Sequence, residues 1–125
     1  MKVLLDTNVL ASAFTTRGLC SDVLSLIVKE HQLVTGEVVL KELKTVLTTK
    51  FKMPHDTVLR IDSFLRDYEV ISAPAKLPSL KLRDQNDVRV IASAINAQAA
   101  MVVTGDGEML NLENKPIPIL SPREF

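Results

Sequence analysis

The chain has 125 residues, with 15 basic and 15 acidic side chains and a formal net charge of zero. This length predicts one domain, residues 1–125, that buries its own core, and the neutral balance excludes a protein that binds nucleic acid through overall positive charge. The sequence has one cysteine, no signal peptide and no apolar run of ~20 residues, so we expect a soluble cytoplasmic protein without membrane association.

Short apolar runs alternate with amphipathic segments along the chain. The predicted strands are residues 2–5, 32–35, 69–71, 101–103 and, as an edge strand, 117–120. The predicted helices are residues 8–14, 21–31, 37–50, 84–98, and one that opens at 53–56 and keeps helical spacing of its apolar residues through Tyr68. This alternation predicts an α/β fold, with a parallel sheet covered by helices on both faces and a ligand site beyond the carboxyl ends of the strands.

Four carboxylates occupy positions that are costly for an unpaired charge. Asp6 and Asp106 each follow a predicted strand, so both should lie on the same edge of the sheet. Asp87 shares its helix face with apolar residues, and Glu42 lies at the edge of an apolar stripe. If the four converge, a divalent cation is the natural way to offset their charge.

Each acid alone also has an ordinary structural explanation. Asp6 can cap a helix, and Asp84 with Asp87 can form a pair of capping acids that the helix dipole favours. Asp106 lies in a glycine-flanked turn where aspartate is common, and Glu42 can be a solvated helix position. Four such acids in one chain favour a site over four separate coincidences.

The order and spacing of four short motifs resemble the PIN-domain nucleases. These motifs are Asp6-Thr7-Asn8, Lys41-Glu42-Leu43, Arg83-Asp84-x-x-Asp87 and Val103-Thr104-Gly105-Asp106. The tail from Pro116 to Phe125 is similar to the branch assigned as toxin components of bacterial and archaeal toxin–antitoxin pairs. The sequence departs from the usual family pattern at two places. Glu108 stands where an aspartate is common, and Ala99-Ala100 stands before the fourth strand, where the family often has Ala-Asp.

The resemblance implies a three-layer α/β/α sandwich with a central parallel sheet of four or five strands. It also implies an endoribonuclease that cleaves single-stranded RNA with Mg²⁺ or Mn²⁺ and that has an antitoxin partner, and homodimers are common in similar families. The implied catalytic and metal-binding acids are Asp6, Glu42, Asp87 and Asp106, with Asp84 as an additional acid nearby. The implied supporting polar residues are Thr7, Asn8 and Thr104.

Basic residues near these motifs are candidates for contacts with backbone phosphates. They are Arg17, Lys41, Lys44, Arg83 and Arg89. Such contacts would give little sequence specificity.

Two alternatives from other classes fit parts of the pattern. One is a catalytically silent binding or regulatory protein that keeps the acidic pocket. The other is a phosphoacceptor receiver module, which also has an α/β fold and an acidic rim but needs paired acids after its first strand and a lysine after its last. The sequence supplies only Asp6 at the first place and no clear lysine at the second.

Overall fold

A computed structural model describes residues 1–125 of the protein. The strands are β1 (Lys2–Leu5), β2 (Gln32–Gly36), β3 (Glu69–Ile71), β4 (Met101–Val103) and β5 (Ile119–Leu120). The helices are α1 (Thr7–Thr15), α2 (Leu19–Glu30), α3 (Glu37–Thr49), α4 (His55–Leu65), α5 (Gln85–Asn96) and α6 (Gly107–Leu110). No helix is long and apolar enough to cross a membrane.

All five strands are parallel, in the order β3-β2-β1-β4-β5, so β1 is central. Leu4 of β1 pairs with Val34 on one side and Val102 on the other, and all three side chains are fully buried. Helices α2 and α3 pack against β2, α5 packs against β2 and β4, and α6 packs against β5. The predicted α/β/α architecture with a parallel sheet is confirmed.

The core is aliphatic because the strands are covered on both faces and consist of continuous apolar runs. The largest fully buried side chains come from the sheet and from the helices on both of its faces: Leu4, Leu5, Leu10, Ile27, Leu40, Leu43, Leu47, Leu65, Ile91 and Met109. This rigid centre fixes the directions in which the strand ends point.

The helix and strand bounds differ from the sequence predictions at several ends. Helix α1 begins at Thr7 because Asp6 caps it. Helix α2 begins two residues before the predicted Ser21, because the backbone N–H of Asp22 already donates to the Gly18 carbonyl. The predicted edge strand pairs only over Ile119–Leu120. Helix α6 was not predicted, since four residues are too few for a periodic pattern.

The helix predicted to keep its apolar spacing through Tyr68 ends at Leu65. The backbone N–H of Tyr68 donates to the Leu65 carbonyl at 3.2 Å, which closes a turn that leads into β3. The helix was predicted too long because Tyr68, although outside the helix, also packs against the core and so continues the helical spacing of apolar residues.

Candidate functional site

The strand order reverses direction between β1 and β4, and their carboxyl ends meet at one edge of the sheet. An open cavity of about 420 Å³ lies at this edge. All five acids named from the sequence line it, namely Asp6, Glu42, Asp84, Asp87 and Asp106. The fold therefore gathers carboxylates from separate parts of the chain at the switch point of an α/β sheet, where such proteins bind ligands.

Asp6 is the most enclosed of these acids, at 4% exposed. It follows β1, and its backbone N–H donates to the Val103 carbonyl of β4 at 2.9 Å. Its Oδ1 accepts the Thr7 N–H at 2.8 Å, and its Oδ2 accepts the Thr104 hydroxyl at 2.7 Å. Burial raises the pKa of Asp6, these two hydrogen bonds oppose that rise, and the charges of Glu42 and Asp106 add to it.

Thr104 connects the ends of the two central strands. Its hydroxyl donates to Asp6 and accepts the backbone N–H of Asp106 at 3.1 Å. Asp106 in turn caps α6, because its Oδ1 accepts the Glu108 N–H at 2.8 Å. Asn8 supports the same turn from α1, since its Oδ1 accepts the Gly105 N–H at 3.3 Å. The predicted supporting residues Asn8 and Thr104 thus hold the loop that carries Asp106.

Asp87 lies in the first turn of α5 and lines the cavity together with Asp106. Burial raises the pKa of Asp87 most, and the charges of Asp6, Asp106 and Asp84 raise it further, to about 7. The Asp87 carboxyl group therefore keeps its proton up to about neutral pH. The acids therefore interact strongly, as expected if they form one site.

Glu42 and Asp84 are linked through Asn86. The Asn86 side-chain amide donates to Glu42 Oε2 at 2.9 Å, and its backbone N–H donates to Asp84 Oδ1 at 2.8 Å. Asp84 is the N-cap of α5, as its capping interpretation predicted. Asn86 joins α3 to α5 beside the cavity, and sequence reasoning missed this role because it depends on the distance between two helices.

None of the five cavity acids forms an ion pair with a lysine or arginine; the ion pairs of the chain lie elsewhere. No group of three or more histidine, cysteine, aspartate or glutamate side chains is arranged so that it could hold a metal ion. Asp6, Asp84 and Asp106 accept capping hydrogen bonds from backbone N–H groups. No basic side chain therefore compensates the repulsion among the five cavity acids.

The predicted phosphate-contacting residues have different surroundings. Lys44 pairs with Asp62 at 3.7 Å and Arg83 with Glu108 at 3.7 Å. Arg17 lies in the exposed loop after α1 and lines no cavity. Lys41 and Arg89 line a second cavity, of about 490 Å³, which adjoins the first because Glu42 lines both. Of the five predicted phosphate-contacting residues, these two line a cavity and have no ion-pair partner.

Several cavity residues were not identified from the sequence. They are Ser12, Thr15, Thr16, Lys50 and Phe51. The spacing of Ser12 and Thr15 after Asn8 gives one polar face of α1 and could have indicated the hydroxyls. No sequence signal indicates Phe51, because its place depends on how the end of α3 packs beside α1.

The sequence profile of the PIN domain matches residues 2–108. The chain belongs to the PIN-domain family. This confirms the resemblance to PIN-domain nucleases and leaves the receiver-module alternative without support. No curated protein is significantly similar to the chain.

Two solved structures share the fold. VapBC2 from Rickettsia felis, bound to a DNA fragment from its promoter, is 20% identical, with a TM-score of 0.70 over 97% of this chain and 98% of that one. FitAB bound to a DNA fragment is 15% identical, with a TM-score of 0.62 over 98% of this chain and 96% of that one. At these identities the similarity establishes a shared PIN fold.

Proposed function

We propose that this protein is a divalent-cation-dependent endoribonuclease that cleaves single-stranded RNA, and that it is the toxin of a toxin–antitoxin pair. One observation carries the proposal. Five carboxylates from four parts of a PIN-family chain line one cavity at the switch point of the sheet, without a single ion pair among them.

The chemistry of these residues fits Mg²⁺ or Mn²⁺. Hard cations prefer carboxylate oxygens. Burial, with a further contribution from neighbouring acids, raises the pKa values of Asp6 and Asp87, and a bound cation would stabilise their charged forms. Asp6, Asp87 and Asp106 would hold the ion, with Glu42 completing the set. Some of these contacts would pass through water ligands of the ion, because no three of the acids are placed to bind one ion directly. When bound, such an ion polarises the scissile phosphate and lowers the pKa of an attacking water.

The protein's own groups prepare this site in defined ways. Thr104 holds Asp6 Oδ2, and Thr104 also fixes the backbone of Asp106. Asn86 orients the Glu42 carboxylate through its side-chain amide. Asp87 must release its proton before it can act as an anionic ligand, so a pH above about 7 favours binding of the ion.

The second cavity supports an extended, negatively charged substrate. Lys41 and Arg89 line it without an ion-pair partner, and Glu42 lines both this cavity and the acidic one. A strand whose scissile phosphate lies at the acids could place a neighbouring phosphate against these two cations. A single strand suits this arrangement because its backbone can bend between adjacent cavities.

The toxin assignment is supported by the tail after Lys115, which is similar to the toxin branch of the family, and by the folds of VapBC2 and FitAB. Both of those structures are complexes bound to DNA. By extension, we propose an antitoxin protein as the partner of this chain.

Incubation of the protein with end-labelled single-stranded RNA, double-stranded RNA and single-stranded DNA tests the activity. We expect cleavage of single-stranded RNA with Mg²⁺ or Mn²⁺, none in EDTA, and a loss of at least about 100-fold in Asp106→Asn. Asp67→Asn is the matched control, because Asp67 is exposed and precedes β3 at the opposite edge of the sheet. Full activity of Asp106→Asn, or no cleavage of RNA with either ion, would contradict the proposal.

A further inference from the structure

The acidic cavity extends along α1 and α3 beyond the acids. On α3 its lining passes from Glu42 through Val46 to Lys50, at intervals of one helical turn. At a rise of about 1.5 Å per residue, Lys50 lies roughly 12 Å along the helix from Glu42. This far part of the cavity contains no acid and has a different chemical character from the part that the proposed reaction uses.

Phe51 is the only aromatic ring that lines this cavity, and its side chain is 39% exposed. The ammonium group of Lys50 lies 5.6 Å from the centre of the Phe51 ring. The other phenylalanine and tyrosine rings each pack edge-to-face on an aromatic neighbour: Phe14 on Phe64, Phe64 on Tyr68, and Phe125 on His31. Phe51 therefore presents a ring that has no aromatic partner within the chain.

The backbone holds Phe51 in this place. Its N–H donates to the Val46 carbonyl at 3.3 Å, and Lys52 has a positive φ of 51°, which turns the chain away from α3. Met53 then donates to the Leu47 carbonyl at 3.0 Å and packs against the core. The segment thus uses Met53 as its anchor to the core and leaves the Phe51 ring at the cavity rim.

Hydroxyl groups from α1 line the same part of the cavity. The Thr15 hydroxyl donates to the Ala11 carbonyl at 2.7 Å, and the Thr16 hydroxyl donates to the Ser12 carbonyl at 2.9 Å. With their hydrogens used in this way, both oxygens are left as acceptors for base amino groups or a ribose 2′-hydroxyl.

We propose that Phe51 and Lys50 form a base-stacking subsite, in which Phe51 stacks on a base flanking the scissile bond and Lys50 contacts its phosphate. The subsite rests on the proposed nuclease function and names how the substrate strand is held. An exposed ring beside a cation is how proteins bind unpaired bases without reading a long sequence. A cavity of about 420 Å³ is large enough for one nucleotide-sized ligand.

Binding of a single-stranded oligoribonucleotide of about 8 nucleotides that carries 2-aminopurine tests the subsite. It is measured in Mg²⁺ with Asp106→Asn protein, so that cleavage does not consume the probe. Phe51→Leu in this background should weaken binding roughly 5- to 100-fold and abolish the quenching that stacking causes, whereas Phe51→Tyr should keep both. Lys50→Gln should lower the salt dependence of binding, with a slope smaller by about 0.7.

Phe64→Leu is the matched control, since Phe64 is 38% exposed but lines no cavity. Equal binding by the Phe51→Leu and Phe64→Leu proteins would overturn the subsite and leave this rim available to a protein partner, and it would leave the nuclease proposal standing. Failure of the parent Asp106→Asn protein to bind the probe would also overturn the subsite. Phe51-dependent binding by a protein that cleaves no RNA in wild-type form would support the subsite and contradict the nuclease proposal.

Discussion

Asp6 and Asp87 are the same residue type, and their surroundings give them different roles. Asp6 is nearly enclosed, but two hydrogen bonds stabilise its charged form. No such hydrogen bonds stabilise the charged form of Asp87, and burial together with the charges of Asp6, Asp106 and Asp84 raises its pKa to about 7. The sequence predicted both acids as site residues. It could not predict their different environments, because these depend on neighbours that are distant in the chain.

Replacing Asp87 by asparagine should stabilise the metal-free protein at pH 8. The raised pKa means that the folded state binds a proton more tightly than the unfolded state, so stability falls as pH rises from about 4 to about 7. Removing the charge should therefore add roughly 1–3 kcal/mol to the free energy of unfolding at pH 8, allowing for partial exposure. The gain should shrink as pH falls from about 7 to about 4.

Urea denaturation in EDTA at several pH values measures this gain, with Asp67→Asn as the exposed control. A variant that is no more stable than wild type at pH 8, or whose gain is the same at pH 4, would contradict the assigned electrostatics of Asp87.

Thr104 and Thr7 allow a paired test of the buried hydrogen bonds. Thr104→Val removes the donor to Asp6 and the acceptor of the Asp106 N–H. The free energy of unfolding should therefore fall by about 1–3 kcal/mol. Thr7→Val should change stability little, because the buried Thr7 hydroxyl oxygen has no hydrogen-bond partner. Chemical denaturation at pH 7 compares the two, and equal losses would show that the Thr104 bonds do not hold the site.

At the scale of elements, the sequence predicted the strands well because each is a continuous apolar run. Helix ends were less accurate because they depend on individual caps such as Asp6 and Asp84. Glu37, in the first turn of α3, forms an ion pair with Arg66, which follows the end of α4. That contact joins residues 29 positions apart and has no local signature.

Arg66 connects α3 and α4 through two acids. Its guanidinium donates to both oxygens of Glu37 at 2.8 Å and to Asp62 at 2.9 Å. This arrangement raises the pKa of Arg66 and lowers that of Glu37, chiefly through the hydrogen bonds between them. Arg66→Ala should lower stability by about 0.5–1.5 kcal/mol, and the loss should be smaller in high salt.

Arg60→Ala is the matched control for Arg66→Ala. Arg60 makes one exposed ion pair, to Asp56 at 3.6 Å within the same helix, so its removal should be close to neutral. Thermal unfolding in low and high salt measures both variants. If Arg60→Ala lowered stability as much as Arg66→Ala, the geometry of the Arg66 hydrogen bonds would make no additional contribution to stability.

At the scale of the whole molecule, the sequence predicted the parallel sheet, its covering helices and the edge at which Asp6 and Asp106 meet. It named all five acids that line the cavity. It could not predict the second half of that cavity, because Lys50 and Phe51 reach the site only through the packing of α3 beside α1. Local sequence patterns thus predicted the acids, whereas the shape of the proposed substrate-binding cavity can be seen only in the tertiary structure.

The central claim is that these carboxylates form a divalent-cation site, and isothermal titration of Mn²⁺ into the protein at pH 8 tests it most directly. The account predicts saturable binding by wild type and Asp67→Asn, binding weakened at least about 10-fold in Asp6→Asn, and weaker wild-type binding at pH 6, where Asp87 keeps its proton. No binding by wild type, or the same affinity in Asp6→Asn, would contradict it.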